Sequence, residues 1–163
     1  MEETRANDEK FMRAALSLAR QAAREGEVPV GCVVVRNGRI VGRGRNRREN
    51  GKCATAHAEL RAIENACRRL GGWRLWECDL YVTLEPCPMC AGAIVNSRIR
   101  RVLYGAPDPK AGATGSVFNL FDYPLNHKPE LVSGILEEEC AGVLKEFFAD
   151  LRAKRSKGNS QIL

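Results

Sequence analysis

Two short segments constrain this chain more than anything else in it: His57-Ala58-Glu59 and Pro86-Cys87-Pro88-Met89-Cys90. Cys87 and Cys90 are three apart, and Pro88 suits the first turn of a helix, so both thiols fall on one face, one turn apart. A helix N-terminus favours the thiolate, the form that binds metal. His57 stands at the start of a second expected helix. A fold that uses both segments must therefore bring two helix N-termini together. One imidazole and two thiolates make a three-ligand zinc site with a fourth position open to water, whereas closed structural sites take four protein ligands. Glu59, two residues past His57, is placed to carry a proton beside that position without binding the metal. A redox Cys-x-x-Cys would leave His57 and Glu59 without a role. His127 and the remaining cysteines make no second paired motif.

The hydrophobic pattern supplies the helices. Asn7 reads as the N-cap of a first helix, with Asp8 and Glu9 in its first turn, an inner stripe of Phe11, Ala15, Leu18 and Ala22, and a stop at Gly26. Residues 28–35 read as a strand. Asn37-Gly38 is a two-residue hairpin turn that returns Ile40 and Val41 antiparallel. Residues 43–53 are polar and loop-like. A second helix is expected from a cap near Thr55, with Leu60, Ile63, Cys67 and Leu70 inward and Gly71-Gly72 at its end. Strands follow at 80–84, 102–104 and 131–136, with a third helix over 88–97 and a last one over 137–155 that turns Cys140, Leu144, Phe147 and Leu151 inward. Residues 106–126 form a long loop with a short helical turn near Asn119, and loops of that length are functional or mobile. The reading is one domain over 1–155 and a disordered basic tail over 156–163. Helices interleaved with apolar strands imply an α/β fold, a three-layer α/β/α sandwich around a mixed sheet.

Charge and cysteine content narrow the setting. The formal net charge of +6 over 163 residues suits a polyanionic partner. The sequence holds no apolar run of membrane-spanning length and no charged-then-apolar leader, so no membrane partner and a cytoplasmic location are expected. Seven cysteines, an odd number at irregular spacing, argue for reduced thiols rather than a disulfide framework.

The two segments together resemble the H-x-E…P-C-x-x-C signature of zinc-dependent nucleobase deaminases. Within that superfamily the chain is similar to the bacterial tRNA-specific adenosine deaminases over nearly its whole length. The resemblance runs through Val28-Pro29-Val30-Gly31, Asn46, Thr55-Ala56-His57-Ala58-Glu59 and residues 84–93. It continues through Tyr104-Gly105-Ala106, residues 108–116, Asn126-His127 and Phe147-Phe148.

The resemblance implies a cytidine-deaminase-like sandwich with a five-stranded sheet. It also implies one Zn2+ per chain on His57, Cys87 and Cys90, Glu59 as the catalytic proton shuttle, and a homodimer. The implied reaction is hydrolytic deamination of adenosine to inosine at the wobble position of a tRNA anticodon loop, chiefly that of arginine tRNA. Ala58 and Cys87 would place backbone groups near the reacting centre, and Pro86 belongs with the substrate-binding residues. Pro29 and Val30 would wall the flipped base, Asn46 would bond the purine or its sugar, and Asp108 would hold the ribose or the splayed backbone. Phe148 is expected to stack on substrate or to meet a second subunit. Arg43, Arg45, Arg47 and Arg48, with Arg152, Lys154, Arg155 and Lys157, are candidates for phosphate. The rival readings are a deaminase of a free base or nucleoside such as guanine or cytidine, and a non-catalytic, zinc-stabilised RNA-binding module.

Overall fold

The computed structural model describes residues 1–160. β1 (Gly31–Arg36) and β2 (Arg39–Arg45) form the expected hairpin. Asn37 and Gly38 take φ of 50° and 74°, the two left-handed residues that a type I′ turn needs. β1 also pairs antiparallel with β3 (Cys78–Leu84), which pairs parallel with β4 (Arg101–Ala106), and β4 pairs parallel with β5 (Glu130–Ser133). The sheet is five-stranded and mixed, in the order β2-β1-β3-β4-β5.

Helices cover both faces. α1 (Glu2–Arg24) and α4 (Glu137–Ser160) lie on one side, and α2 (Ala58–Leu70) and α3 (Pro88–Asn96) on the other. Along β1, Cys32 and Val34 enter the α2/α3 core while Val33 and Val35 enter the opposite one. A strand buried on both faces carries an unbroken apolar run, which is why 32–35 reads as it does.

Small residues set the spacing between helix and sheet. A Cβ on Gly44 would collide with the Ala58 carbonyl, and one on Gly42 with the Ala62 carbonyl. The buried seam of α2 is therefore Ala58, Ala62, Ile63 and Ala66. Of the expected stripe only Ile63 is fully buried; Leu60, Cys67 and Leu70 flank the seam half-buried. Large side chains on the seam would wedge the helix away and leave voids in a close-packed interior.

Other boundaries also differ from expectation. α1 begins at Glu2, so Asn7 is inside the helix and does not cap it. Glu2 and Glu3 occupy the first turn, while Asp8 is buried and accepts bonds from Tyr81 Oη (2.7 Å) and Arg101 Nη2 (2.7 Å). α2 starts after His57, three residues past the Ala56-preceding Thr55 site expected to cap it. β2 reaches Arg45, which shortens the polar loop, and β5 ends at Ser133, before positive-φ turns at Gly134 and Leu136 lead into α4. The helical turn near Asn119 is a 3₁₀ turn, Leu120–Asp122, whose Phe121 N–H donates to Asn119 Oδ1 at 3.0 Å.

On α4, Cys140 is fully buried and Leu144, Phe147 and Leu151 partly so. The helix passes Arg155 and continues to Ser160, so the first part of the expected disordered tail is helical. Lysine and arginine are good helix formers, and their charge suits a helix C-terminus. The rest of that tail, 161–163, lies outside the described residues. No described helix is long and apolar enough to cross a membrane.

Candidate active site

The site is built where two helices begin. His57 (φ −82°, ψ 150°) and Cys87 (φ −75°, ψ 173°) occupy the N-cap positions of α2 and α3 in extended backbone, and neither side chain caps its own helix. Both are left free to face each other. His57 Nδ1 lies 3.7 Å from Cys87 Sγ and 3.5 Å from Cys90 Sγ, and the three ligand atoms all fall within 4.8 Å of one another. Tetrahedral zinc at ordinary Zn–N and Zn–S lengths sets nitrogen and sulfur about 3.6 Å apart. The donors therefore already stand at coordination spacing, and their chemistry fits a borderline-soft ion.

The protons of this group are coupled. The bond from Cys90 draws the Cys87 thiol down to about 4 against its burial, with the His57 bond acting the same way. Cys90 is pushed up by the Cys87 sulfur and by burial. His57 is raised chiefly by its bond with Cys87. Glu59 is 4% exposed, and burial pushes its carboxyl up to about 7. A carboxyl at that value can both take and give a proton near neutral pH.

His57, Glu59 and Cys87 line a cavity of about 450 Å³, well within the range of small-ligand sites. Val28, Val30, Asn46, Asp108, Lys110 and Ala111 line it as well, together with Phe148, which is 40% exposed. Ala58 also lines the cavity. Pro29 and Pro86 do not line it. Pro29 is buried between two lining valines, and the Pro86 carbonyl accepts from Ala113 N–H at 2.8 Å.

Asn46 is buried, and its Nδ2 donates to the Val28 carbonyl at 3.2 Å. A carbonyl only accepts, so this bond fixes which way the amide points. Asn46 Oδ1 is then a buried acceptor with no partner among the described residues. Asp108 is half-spoken for, because its Oδ1 accepts the N–H groups of Lys110 (3.0 Å) and Ala111 (3.2 Å) in a local turn. Of the loop arginines, Arg45 is held by both oxygens of Glu25, at 3.0 and 2.9 Å, while Arg48 lines the cavity.

Two buried acids that hold loop backbone escaped sequence reasoning. Glu27 accepts the N–H groups of Glu49 (2.8 Å) and Asn50 (3.1 Å). Glu85 accepts those of Asp108 (3.1 Å), Thr114 (3.2 Å) and Ser116 (3.1 Å), and the Ser116 hydroxyl. Burial pushes the Glu85 carboxyl up, but the donors from Ser116, Asp108 and Thr114 outweigh it and hold it below its ordinary value. The only signal for Glu85 was its place just before the Pro-Cys segment.

Known proteins share this architecture. Residues 5–106 match the family described as the cytidine and deoxycytidylate deaminase zinc-binding region. A tRNA-specific adenosine deaminase of Bacillus subtilis (strain 168) is 49% identical over 156 residues, covering 95% of this chain and 97% of that protein. The chain belongs to the tRNA-specific adenosine deaminase family. A solved structure from a study of A-to-I editing by tRNA:A34 deaminases at the wobble position of transfer RNA is 49% identical, with a TM-score of 0.80, covering 83% of this chain and 99% of that one. A guanine deaminase from Bacillus subtilis is more distant, at 39% identity and a TM-score of 0.60 over 74% of this chain and 77% of its own. The cofactor is zinc, and the His57, Cys87 and Cys90 group accommodates one ion per chain.

Proposed function

We propose that this chain deaminates adenosine to inosine at the wobble position of a tRNA anticodon loop, chiefly that of arginine tRNA, with zinc held by His57, Cys87 and Cys90. The observation that carries the reading is Glu59, buried beside a three-donor metal group and lining the same cavity as Arg48 and Lys110. When bound, zinc supplies water activated for attack at neutral pH. Glu59 accepts a proton from that water and delivers it to the leaving amine, so adenosine and water become inosine and ammonia. The starts of α2 and α3 at Ala58 and Cys87 direct free N–H groups at charge developing on the ring.

The remaining lining orients the base. Val28 and Val30 offer an apolar wall, and Phe148 a stacking surface. Asn46 Oδ1 receives an N–H or O–H of the purine or its ribose. Asp108 keeps its turn through Oδ1 while its other oxygen accepts from a ribose hydroxyl. Pro29 and Pro86 act by holding their neighbours in place. Arg48 and Lys110 favour a base carried on a polyanion over a free one, and an unstacked anticodon loop gives up a base at little cost. One domain over 1–155 performs the reaction, in the cytoplasm and as a homodimer. Half-exposed Val117, Phe118, Tyr123 and Leu125 offer an apolar face to a second copy.

An arginine anticodon stem-loop incubated with the purified protein should gain about one dalton at a single adenosine, with free guanine and cytidine unchanged. Its kcat/KM should fall steeply with salt, and Arg48→Ala and Lys110→Ala should each flatten the log–log slope by roughly one. Turnover of free guanine without any inosine in the stem-loop would sink the reading. Asn46→Ala should lower kcat/KM about ten- to a hundredfold, since a buried donor on the substrate then lacks its partner, while zinc content stays unchanged. Unaltered kinetics would remove Asn46 from the substrate site.

A further inference from the structure

Between β4 and the 3₁₀ turn, residues 107–119 contain only turns and one isolated bridge, Thr114 with Asn119. They nevertheless build a cavity wall. Backbone without a ladder needs partners of its own, and here one side chain supplies most of them. Glu85 is 2% exposed, and three backbone N–H groups and one hydroxyl from residues 108–116 converge on its two oxygens. Gly112 lies so close that a Cβ there would collide with the carboxylate. Two backbone bonds add to the tie: Glu85 N–H donates to Ala106 O at 2.9 Å, and Ala113 N–H to Pro86 O at 2.8 Å. Glu85 and Pro86 are the link from β3 to Cys87, so the loop wall is fastened to the segment that delivers a metal ligand.

We propose that Glu85 is a positioning residue for the substrate, an internal anion that folds residues 108–116 and so sets where Asp108 and Lys110 stand relative to Cys87. Every group around it donates. A carboxylate has about four acceptor sites for four donors, whereas an amide would turn its own N–H groups against them. Bonds to an ionised acceptor are also about twice as strong as neutral ones. A second lining segment uses the same device, since buried Glu27 accepts the backbone N–H groups of Glu49 and Asn50 in the loop that carries Asn46 and Arg48.

The proposal borrows from the tRNA reading only the substrate used to measure it. In the zinc-loaded Glu85→Gln protein, hydrogen exchange of the amides at 108, 114 and 116 should accelerate at least about tenfold. KM for the stem-loop should rise about ten- to a hundredfold with kcat within about threefold, at one zinc per chain. Glu85→Asp should recover part of the KM loss. Ser116→Ala, which keeps the acid and its three amide donors, should raise KM about three- to tenfold, and should add nothing to Glu85→Gln. Unchanged exchange or unchanged KM in Glu85→Gln overturns the proposal. So does a fall in kcat or zinc content while exchange stays slow, which would move Glu85 into the metal chemistry. If Glu85→Gln does not fold, Ser116→Ala decides by the same two readouts. Should the wild-type protein make no inosine, the tRNA reading fails while the exchange measurement still judges the clamp.

Discussion

Glu59→Gln should keep its zinc and lose inosine formation by about 10³- to 10⁴-fold, the upper range for removing a general acid–base group. The loss is large because one carboxyl serves both proton steps, removal from water and delivery to the amine. Glutamine keeps the volume and the burial, so the three metal donors should not move. Zinc analysis with single-turnover inosine formation checks this, and normal turnover would remove Glu59 from the reaction.

A second readout follows from the same burial. The Glu59 carboxyl is raised to about 7 in the folded chain, chiefly by desolvation, so the native state binds more protons than the unfolded one between its ordinary value and 7. Stability then falls as pH rises through that window. The metal-free Glu59→Gln protein should therefore out-melt metal-free wild type at pH 8 by on the order of 1–3 kcal/mol, and the gap should close near pH 4. Equal melting at both values would show that the acid is not desolvated as its burial implies.

The contrast between Glu59 and Glu85 explains what the amino-acid sequence could reveal. His57, Glu59, Cys87 and Cys90 are legible because chemistry fixes their types and their local spacing. The hairpin is legible for the same reason, since Asn37-Gly38 answers a backbone demand only a few residue types meet. Strands buried on both faces announce themselves as apolar runs. The α2 seam was misread because close approach to Gly42 and Gly44 selects alanine, and a stripe sought among large apolar residues passes over it. Asp8 looked like a helix-dipole acid, but its partners Tyr81 and Arg101 lie on β3 and β4, far away in sequence. Glu27 bonds only backbone N–H groups, which every loop residue but proline possesses, and Glu85 bonds three of them with a single side chain, the Ser116 hydroxyl 31 residues away, so their partners' identities give almost no local signal. Pro29 and Val30 were both read as wall; Val30 lines the cavity, but there it is joined by Val28, while Pro29 between them is buried.

Removing the metal should abolish activity and leave the fold standing. His57 Nδ1 sits 3.7 and 3.5 Å from the Cys87 and Cys90 sulfurs where the N-cap positions of α2 and α3 meet, so the seating of those helices sets the spacing of the donors. What seats those helices is apolar: Ala58, Ala62 and Ala66 on one, Ala91, Ile94 and Val95 on the other, all packed in one core cluster with the sheet. The chelated protein should therefore keep its far-ultraviolet circular dichroism, unlike a zinc finger, which unfolds when its ion is removed. It should still melt earlier. An ion held at about a thousand times its dissociation constant stabilises by about 4 kcal/mol, and at roughly 2–4 °C per kcal/mol for a chain of this size the melting point should drop by about 8–16 °C. One equivalent of zinc should restore both activity and melting temperature. His57→Ala should reproduce the chelated state and resist that rescue, since two thiolates alone leave the ion without its imidazole. Full activity after chelation would dismiss zinc from the reaction, and an unfolded metal-free chain would show that the ion, rather than the apolar packing, holds α2 and α3 on the sheet.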